Sequence, residues 1–307
     1  MKKSGFASVY DEAPVYAVYK TLTNAKLRSA VIRCVISIFY NFFFRQFRAA
    51  FLPGRAPVSK VDHPLDLKIP FKPAWVTIYL DFIFFWIRVI SFLLRNFGRK
   101  AYKACEDFIS TMGQLYKFAA GVYKQNFSTT ERPFYIKRPR FLLIHLVDPH
   151  LMCIPSLHVM IAIRTYTKFR QIVRELGQET SLAVQIEEMR QGALAISRAI
   201  LYVKQHSINC ISAALYAMCC FDPELFTQEE AESFAIELFT GKSLPAMPCK
   251  KKPANYAVRP GAVPRGSIKA EDTGEILAHV ISLFRKFMSE QNENAYWGQP
   301  LLEFLRM

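Results

Sequence analysis

The sequence predicts an all-α protein, a helical bundle that associates with a membrane and carries amphipathic helices at its flanks. Hydrophobic residues make up 51% of the 307 residues, 26 of them phenylalanine, and they gather in long segments between proline-containing stretches. Several of these segments repeat apolar residues at the helical period of 3.6. Charged residues still reach 21% and mean hydropathy is only +0.10. The composition is therefore not typical of a polytopic membrane protein.

The pattern along the chain predicts three regions. Residues 1–100 form a basic N-terminal region with apolar helices suited to membrane insertion. Residues 101–222 form a helical core that carries the candidate catalytic groups. Residues 223–307 supply an acidic helix, a linker rich in proline and lysine, and a C-terminal amphipathic helix. Since the apolar helices lie inside the chain, we expect it to be integral to a membrane or tightly associated with one.

The first apolar segment, residues 30–51, contains three arginines. Its charge-free stretch, residues 34–44, is too short to cross a bilayer, which requires about 20 apolar residues. Two interpretations remain open for this segment. It is either an interfacial helix whose arginines reach lipid headgroups or an aromatic helix of the core.

The second apolar segment, residues 74–94, is the best candidate for a membrane span. It contains Asp81 and Arg88, which lie seven residues apart and so share one helical face. Inside a bilayer both charges would have to find partners within a bundle.

Further helices are predicted at 101–127, 141–163, 193–220 and 222–240, and from Glu271 onward. A basic loop, residues 124–140, precedes the apolar segment 141–163, and a linker containing Lys250, Lys251 and Lys252 covers 241–270. The stripe after Glu271 is expected to dock onto the core.

Charge is concentrated in the first half of the chain. Residues 1–140 hold 23 basic and 8 acidic residues, and of the 40 and 25 in the whole chain this leaves 17 of each for residues 141–307. A basic half beside apolar helices fits an anionic membrane surface or a phosphorylated ligand. No zinc-finger, RNP or helix-turn-helix signature occurs, so a nucleic-acid partner is not expected.

No cofactor or metal is expected. The seven cysteines form no Cys-x-x-Cys pair, which favours reduced, buried thiols. A metalloenzyme using His145, Asp148, His150 and His158 was weighed, because imidazole and carboxylate bind zinc or iron. Asp148-Pro149-His150 has the sequence of a turn rather than of a helix with ligand spacing, which argues against this interpretation.

Two histidines occur in distinctive contexts. Pro155-Ser156-Leu157-His158 opens one apolar segment, and Lys204-Gln205-His206 lies inside another. A single histidine on an apolar helix is usually a structural group, so the functional argument depends on the set and its order. The basic loop with Lys124 and Arg132-Pro133 comes first, then Pro-Ser-Leu-His, then Ser197-Arg198, and finally Lys-Gln-His.

This order, over residues 110–220, resembles the three-part signature of the type 2 phosphatidic acid phosphatase superfamily. The resemblance implies a helical fold like that of vanadium haloperoxidases and a metal-independent phosphatase acting on a lipid phosphate or related phosphomonoester. It also implies roles for individual residues. His206 would be the nucleophile that forms a phosphohistidine, and His158 the general acid. The phosphate would be bound by Arg198, Lys124, Arg132 and Ser156.

The sequence departs from the signature at three points. Lys124 and Arg132 are separated by seven residues instead of six, and Arg198 stands eight residues before His206 instead of six. The aspartate expected four residues after the nucleophile is Cys210. Asn209 and Asp148 are the candidates to orient His206 in its place.

These departures leave two alternatives to a phosphatase. One is a catalytically impaired member of the same fold that acts as a membrane-surface or scaffold protein. The other is a lipid phosphotransferase, in which an alcohol replaces water as the final acceptor.

Overall fold

We describe a computed structural model for residues 5–52, 57–241 and 268–307. The chain is mostly helical, which confirms the predicted all-α class. The N-terminal α-helices of the described part are α1 (Pro14–Thr23), α2 (Ala25–Ile38), α3 (Phe44–Phe51), α4 (Val76–Leu80), α5 (Phe82–Phe97) and α6 (Tyr102–Tyr123). They are followed by α7 (Pro139–Val147), α8 (Leu157–Glu175), α9 (Ala183–Tyr202), α10 (Ile208–Phe221), α11 (Gln228–Thr240), α12 (Ala270–Gln291) and α13 (Gln299–Arg306).

A short parallel β-pair was not predicted. Strand β1 (Val58–Lys60) pairs with β2 (Phe127–Thr129), with Ser59 opposite Ser128. Ser128 also bridges to Met152. The pair fixes the extended segment after α3 against the segment that leads to the histidines.

Helices α8, α9 and α10 form the centre of the protein. Helix α10 is buried from Ile208 to Cys219, and Ser207 caps its start by accepting a hydrogen bond from Asn209 N at 3.2 Å. Helix α12 packs on α10 through its buried apolar stripe, as predicted for the segment after Glu271. The predicted linker 241–270, with its three lysines, lies almost entirely outside the described residues.

Helices α2 and α3 join through a π-helical turn, Phe39–Phe43, into one continuous helix, Ala25–Phe51, which we call the N-terminal helix. A regular helix would place Gln46 about 120° from Cys34 around the axis. One extra residue in the π turn reduces this angle to about 20°. Both side chains are accordingly buried on the same side of the helix.

The segment 74–94 differs from its prediction as a spanning helix. It is broken at Asp81 into α4 and α5, and Arg88 forms a two-pronged salt bridge with Asp81 at 2.9 and 2.6 Å. Two helices, Ala25–Phe51 and Pro73–Tyr123, are long and apolar enough to cross a membrane by length and composition, but 61% of the apolar window in the second is buried inside the protein. The second therefore packs chiefly as a core helix.

Two other predicted helices are also interrupted. The segment 141–163 ends its first helix at Val147 and starts α8 only at Leu157. The segment 193–220 stops at Tyr202 and resumes at Ile208. Both interruptions contribute residues to the site described below.

Candidate functional site

The two histidines singled out by the sequence face each other in the centre of the protein. His158 lies in the first turn of α8, after Ser156 at the N-cap. His206 lies in the break between α9 and α10, next to the cap residue of α10. His206 Nε2 is 3.3 Å from His158 Nδ1. The structure thus brings together the nucleophile and the general acid that the resemblance implied.

The break that holds His206 is fixed by the 3₁₀ turn Pro64–Lys68. Lys204 adopts a positive φ of 54°, uncommon for a residue with a side chain. Its ammonium donates to the carbonyl oxygen of Asp66. The carboxylate of Asp66 accepts a hydrogen bond from Ile208 N at 2.9 Å. Asp66 therefore stabilises both the end of the turn and the start of α10.

Both histidines are neutral at pH 7. Burial lowers the pKa of His158 to about 4, and nearby His150 adds to the lowering. Burial also lowers the pKa of His206 well below its usual value, with further lowering from the other two histidines. Asp148 raises the pKa of both rings, but not enough to offset burial. A neutral imidazole has the lone pair that a nucleophile requires.

A carboxylate and a third histidine line the same cavity. Asp148 Oδ1 accepts hydrogen bonds from Gln46 Nε2 and His150 N, both at 2.9 Å. Its other oxygen is 3.9 Å from His150 Nδ1. Burial acts to raise the pKa of Asp148, but the hydrogen bonds and charge of His150 outweigh burial and hold this pKa below its usual range. A permanent negative charge is therefore held beside the neutral histidine pair.

His150 is the residue that sequence reasoning did not place in the site. It has a positive φ of 62°, and its Nε2 is 2.7 Å from Thr130 Oγ1. Its ring centroid is 6.1 Å from that of His206. The signal in the sequence is the turn Asp148-Pro149-His150, in which Asp148 is a candidate to orient His206 but His150 enters only the metal-site interpretation. Among the described residues no cluster of histidine, cysteine and carboxylate groups is arranged to hold a metal ion.

The predicted orienting residue Asn209 does not contact His206. Its side chain donates to the Val61 carbonyl at 3.1 Å, and its Oδ1 is 2.8 Å from His279 Nε2. Nδ1 of His206 is buried without a hydrogen-bond partner. Cys210 is fully buried, and burial raises the pKa of its thiol well above the usual value. The position where the resemblance implies an aspartate thus holds a neutral thiol.

Two of the four predicted phosphate ligands lie at the site. Ser156 Oγ is 3.5 Å from His206 Nε2. Arg132 donates to the carbonyl oxygen of Asp148 at 3.0 Å and to Gln205 Oε1 at 3.2 Å. The guanidinium of Arg132 therefore connects Gln205, next to His206, with Asp148, two residues before His150.

The other two predicted ligands are elsewhere. Arg198 donates to the carbonyl oxygens of Leu238 and Glu237 and so caps the last turn of α11. The resemblance implied Arg198 as a phosphate ligand, but α9 presents its guanidinium to α11 and not to the histidines. Lys124 is exposed at the end of α6 and has no side-chain partner among the described residues.

The site encloses a small cavity of about 10 Å³. This is room for about one water molecule, so a phosphate ester requires the surrounding side chains to move apart. The cavity is lined by Phe42, Gln46, Asp148, His150, Met152, Cys153, Leu157, His158 and His206.

Comparison with known proteins adds no identification. No protein-family model, no curated protein and no solved structure matches this chain.

Proposed function

We propose that this protein is a metal-independent phosphatase that acts on a lipid phosphate or related phosphomonoester through a phosphohistidine intermediate. The observation that supports this proposal most directly is the close approach of His206 Nε2 to His158 Nδ1 at the start of α8. Two imidazoles at hydrogen-bond distance, beside a serine hydroxyl and an arginine, are the groups that phosphoryl transfer requires.

The first step forms a bond between His206 Nε2 and phosphorus and breaks the ester P–O bond. The departing alkoxide takes a proton from His158. Because the pKa of His158 is lowered to about 4 in the free protein, the phosphate dianion must raise it on binding, as nearby negative charge does. Arg132, close by, would stabilise charge on the phosphoryl oxygens.

The second step returns the enzyme to its starting state. His158 takes a proton from water, the resulting hydroxide attacks phosphorus, and the P–N bond breaks. Between the two steps His206 carries phosphate on Nε2 and a proton on Nδ1. The charge of Asp148, which raises the pKa of His206, would stabilise the positive charge of this intermediate.

One alternative has specific support. Cys210 is a neutral buried thiol, Arg198 caps α11, and the cavity holds about one water. These features favour a catalytically impaired member of the fold that serves at a membrane surface.

The experiment is a phosphate-release assay with lipid phosphates and a chromogenic phosphomonoester, in the presence of EDTA. We expect wild-type activity that survives EDTA, is lost in His206→Ala and His158→Ala, and persists in the matched control His279→Gln, whose histidine lies outside the cavity. Circular dichroism verifies that each variant is folded.

The outcomes separate the candidate functions. Release of inorganic phosphate identifies a phosphatase, and transfer to an added alcohol in place of release identifies a phosphotransferase. A folded wild type without turnover of either kind would refute the proposal and favour the impaired scaffold.

A further inference from the structure

The N-terminal helix presents a broad apolar face to the outside. Ile36 is 62% exposed, Phe39 60% and Phe51 77%. Such large contiguous apolar surface is unusual for a protein that is surrounded only by water. The other exposed apolar side chains of α1 to α3 and the residue after α3 are Val15, Val18, Tyr19, Leu22, Ile32, Val35, Tyr40, Phe44 and Leu52.

The opposite side of this helix is packed tightly against α6. Leu27, Ala30 and Cys34 are buried. Ser37 Oγ donates to the carbonyl oxygen of Gly113 at 2.7 Å. The exposed face therefore belongs to a helix held in place along its length, and its orientation is fixed relative to the core.

Only positive charge accompanies this apolar face. Residues 13–61 contain no aspartate or glutamate and eight lysines or arginines. The cations of the N-terminal helix have no carboxylate within salt-bridge distance among the described residues, whereas Arg285 on α12 pairs with Glu232 at 2.7 Å. The unpaired cations are Lys26, Arg28, Arg33, Arg45 and Arg48.

Helix α7 adds a second patch of the same character. Leu142, Leu143 and Leu146 are exposed, and residues 132–147 again contain no acidic residue. Gln46 links the two elements, because it donates to Asp148, the residue that follows α7. We call the exposed apolar side chains of α1 to α3 and α7 the lipid face.

We propose that the lipid face binds an anionic bilayer and that the N-terminal helix lies along the bilayer surface instead of crossing it. The exposed aromatic and aliphatic side chains would enter the headgroup region while the unpaired cations contact anionic headgroups. The charge-free stretch, residues 34–44, covers about 16 Å at 1.5 Å per residue, against about 30 Å for the hydrocarbon core. A second copy of this chain is a poorer partner for the lipid face, because two such faces in contact would bring like positive charges together.

This arrangement would bring the cavity close to the membrane. Phe42 and Gln46 line the cavity and belong to the N-terminal helix. A lipid phosphate at the surface would then reach the histidines without leaving the bilayer interface. This consequence for substrate supply depends on the proposed function, but the binding itself does not.

The test is flotation of the full-length protein with vesicles of phosphatidylcholine alone or with 30% phosphatidylglycerol. We expect binding to the anionic vesicles that weakens at high salt. The double variant Ile36→Asp/Phe39→Asp should bind at least about a hundredfold more weakly, since each buried apolar side chain contributes about a factor of ten or more. The matched control Val184→Asp/Ile236→Asp, which also charges two exposed apolar positions, should bind like wild type.

A second measurement distinguishes lying from crossing. Lys26→Cys and Ala50→Cys place thiols at the two ends of the N-terminal helix, and a membrane-impermeant maleimide should label both from the same side of sealed vesicles. Labelling from opposite sides would show a span and overturn the proposal. Equal vesicle binding by the two double variants would overturn the proposal as well. So would a wild type that does not bind vesicles but forms a homodimer that Ile36→Asp/Phe39→Asp dissociates. Phosphatase activity enters none of these readouts.

Discussion

Replacing Asp148 by asparagine tests whether this carboxylate does the work of the aspartate that position 210 lacks. Asparagine retains an oxygen for the hydrogen bonds from Gln46 and His150 N and removes only the charge. Asp148 raises the pKa of both His158 and His206. Loss of the charge should therefore lower both pKa values further.

The magnitude follows from the spacing of groups around the cavity. The ring centroids of His150 and His206 are 6.1 Å apart, which sets the scale of separation between lining groups. Two unit charges at that separation interact by about 2–3 kcal/mol at an effective dielectric of about 20. The other titratable or charged groups near the pair are Tyr79, Arg132, His145, His150 and Cys153, and the substitution leaves them unchanged.

Two assays measure the effect. The acidic limb of the pH dependence of kcat should move to lower pH in Asp148→Asn, and kcat should fall by roughly a hundredfold. Adding Cys210→Asp should restore much of the loss, because it supplies a carboxylate four residues after His206, where the resemblance implies one. Cys210→Asn is the neutral control and should restore nothing.

Imidazole NMR titration of the ligand-free protein gives the same answer without turnover. Unchanged histidine pKa values in Asp148→Asn would refute the reasoning, whatever happens to activity. A kcat loss that Cys210→Asp and Cys210→Asn repair equally would indicate a packing effect instead.

Two stability predictions follow from other buried groups. The pKa of His158 is about 4 in the folded protein and about 6.5 unfolded, so the unfolded state binds more protons between these values and the free energy of unfolding should fall by about 3 kcal/mol from pH 6.5 to pH 4. In denaturant unfolding, His158→Gln should show a shallower dependence of this free energy on pH. An identical dependence would contradict the assigned burial. In the salt bridge of Asp81 and Arg88, with side chains 7% and 8% exposed, Asp81→Asn should cost about 3–5 kcal/mol by removing the carboxylate that neutralises a buried cation. Adding Arg88→Met should recover most of that loss, and a double variant no more stable than the single one would argue against a buried pair.

The sequence was a good guide to the histidine pair and a poor guide to the helix boundaries around it. Pro-Ser-Leu-His carries its own helix start, so His158 could be placed at the beginning of α8. The break at 203–207 contains no glycine or proline. Lys204 has a positive φ there, and its ammonium donates to the carbonyl oxygen of Asp66, 138 residues earlier. Only Ser207, a good cap, marked the new start, and the spacing of Arg198 from His206 did not indicate that Arg198 packs against α11.

Hydropathy also could not separate a core helix from a membrane helix. The segment 74–94 is more apolar than 30–51, yet it is the one that the protein buries. Asp81 and Arg88 form a salt bridge with each other, so neither requires an oppositely charged partner from another helix. The chemistry of the cavity was equally hidden, because Gln46 and His150 reach it only through the π turn and the turn after α7.

The one extra residue in the π turn at Phe39–Phe43 determines which side chains of α3 face the interior and which face the outside. Deleting one residue there would convert the turn to regular α-helix and rotate everything downstream by about 100°. Gln46 would lose its hydrogen bond to Asp148, and the exposed aromatic side chains of α3 would rotate about the helix axis by the same angle. A chain related to this one with a one-residue gap at this place would therefore be expected to differ both in its cavity and in the apolar surface that it exposes, although nearly all of its amino acids were the same.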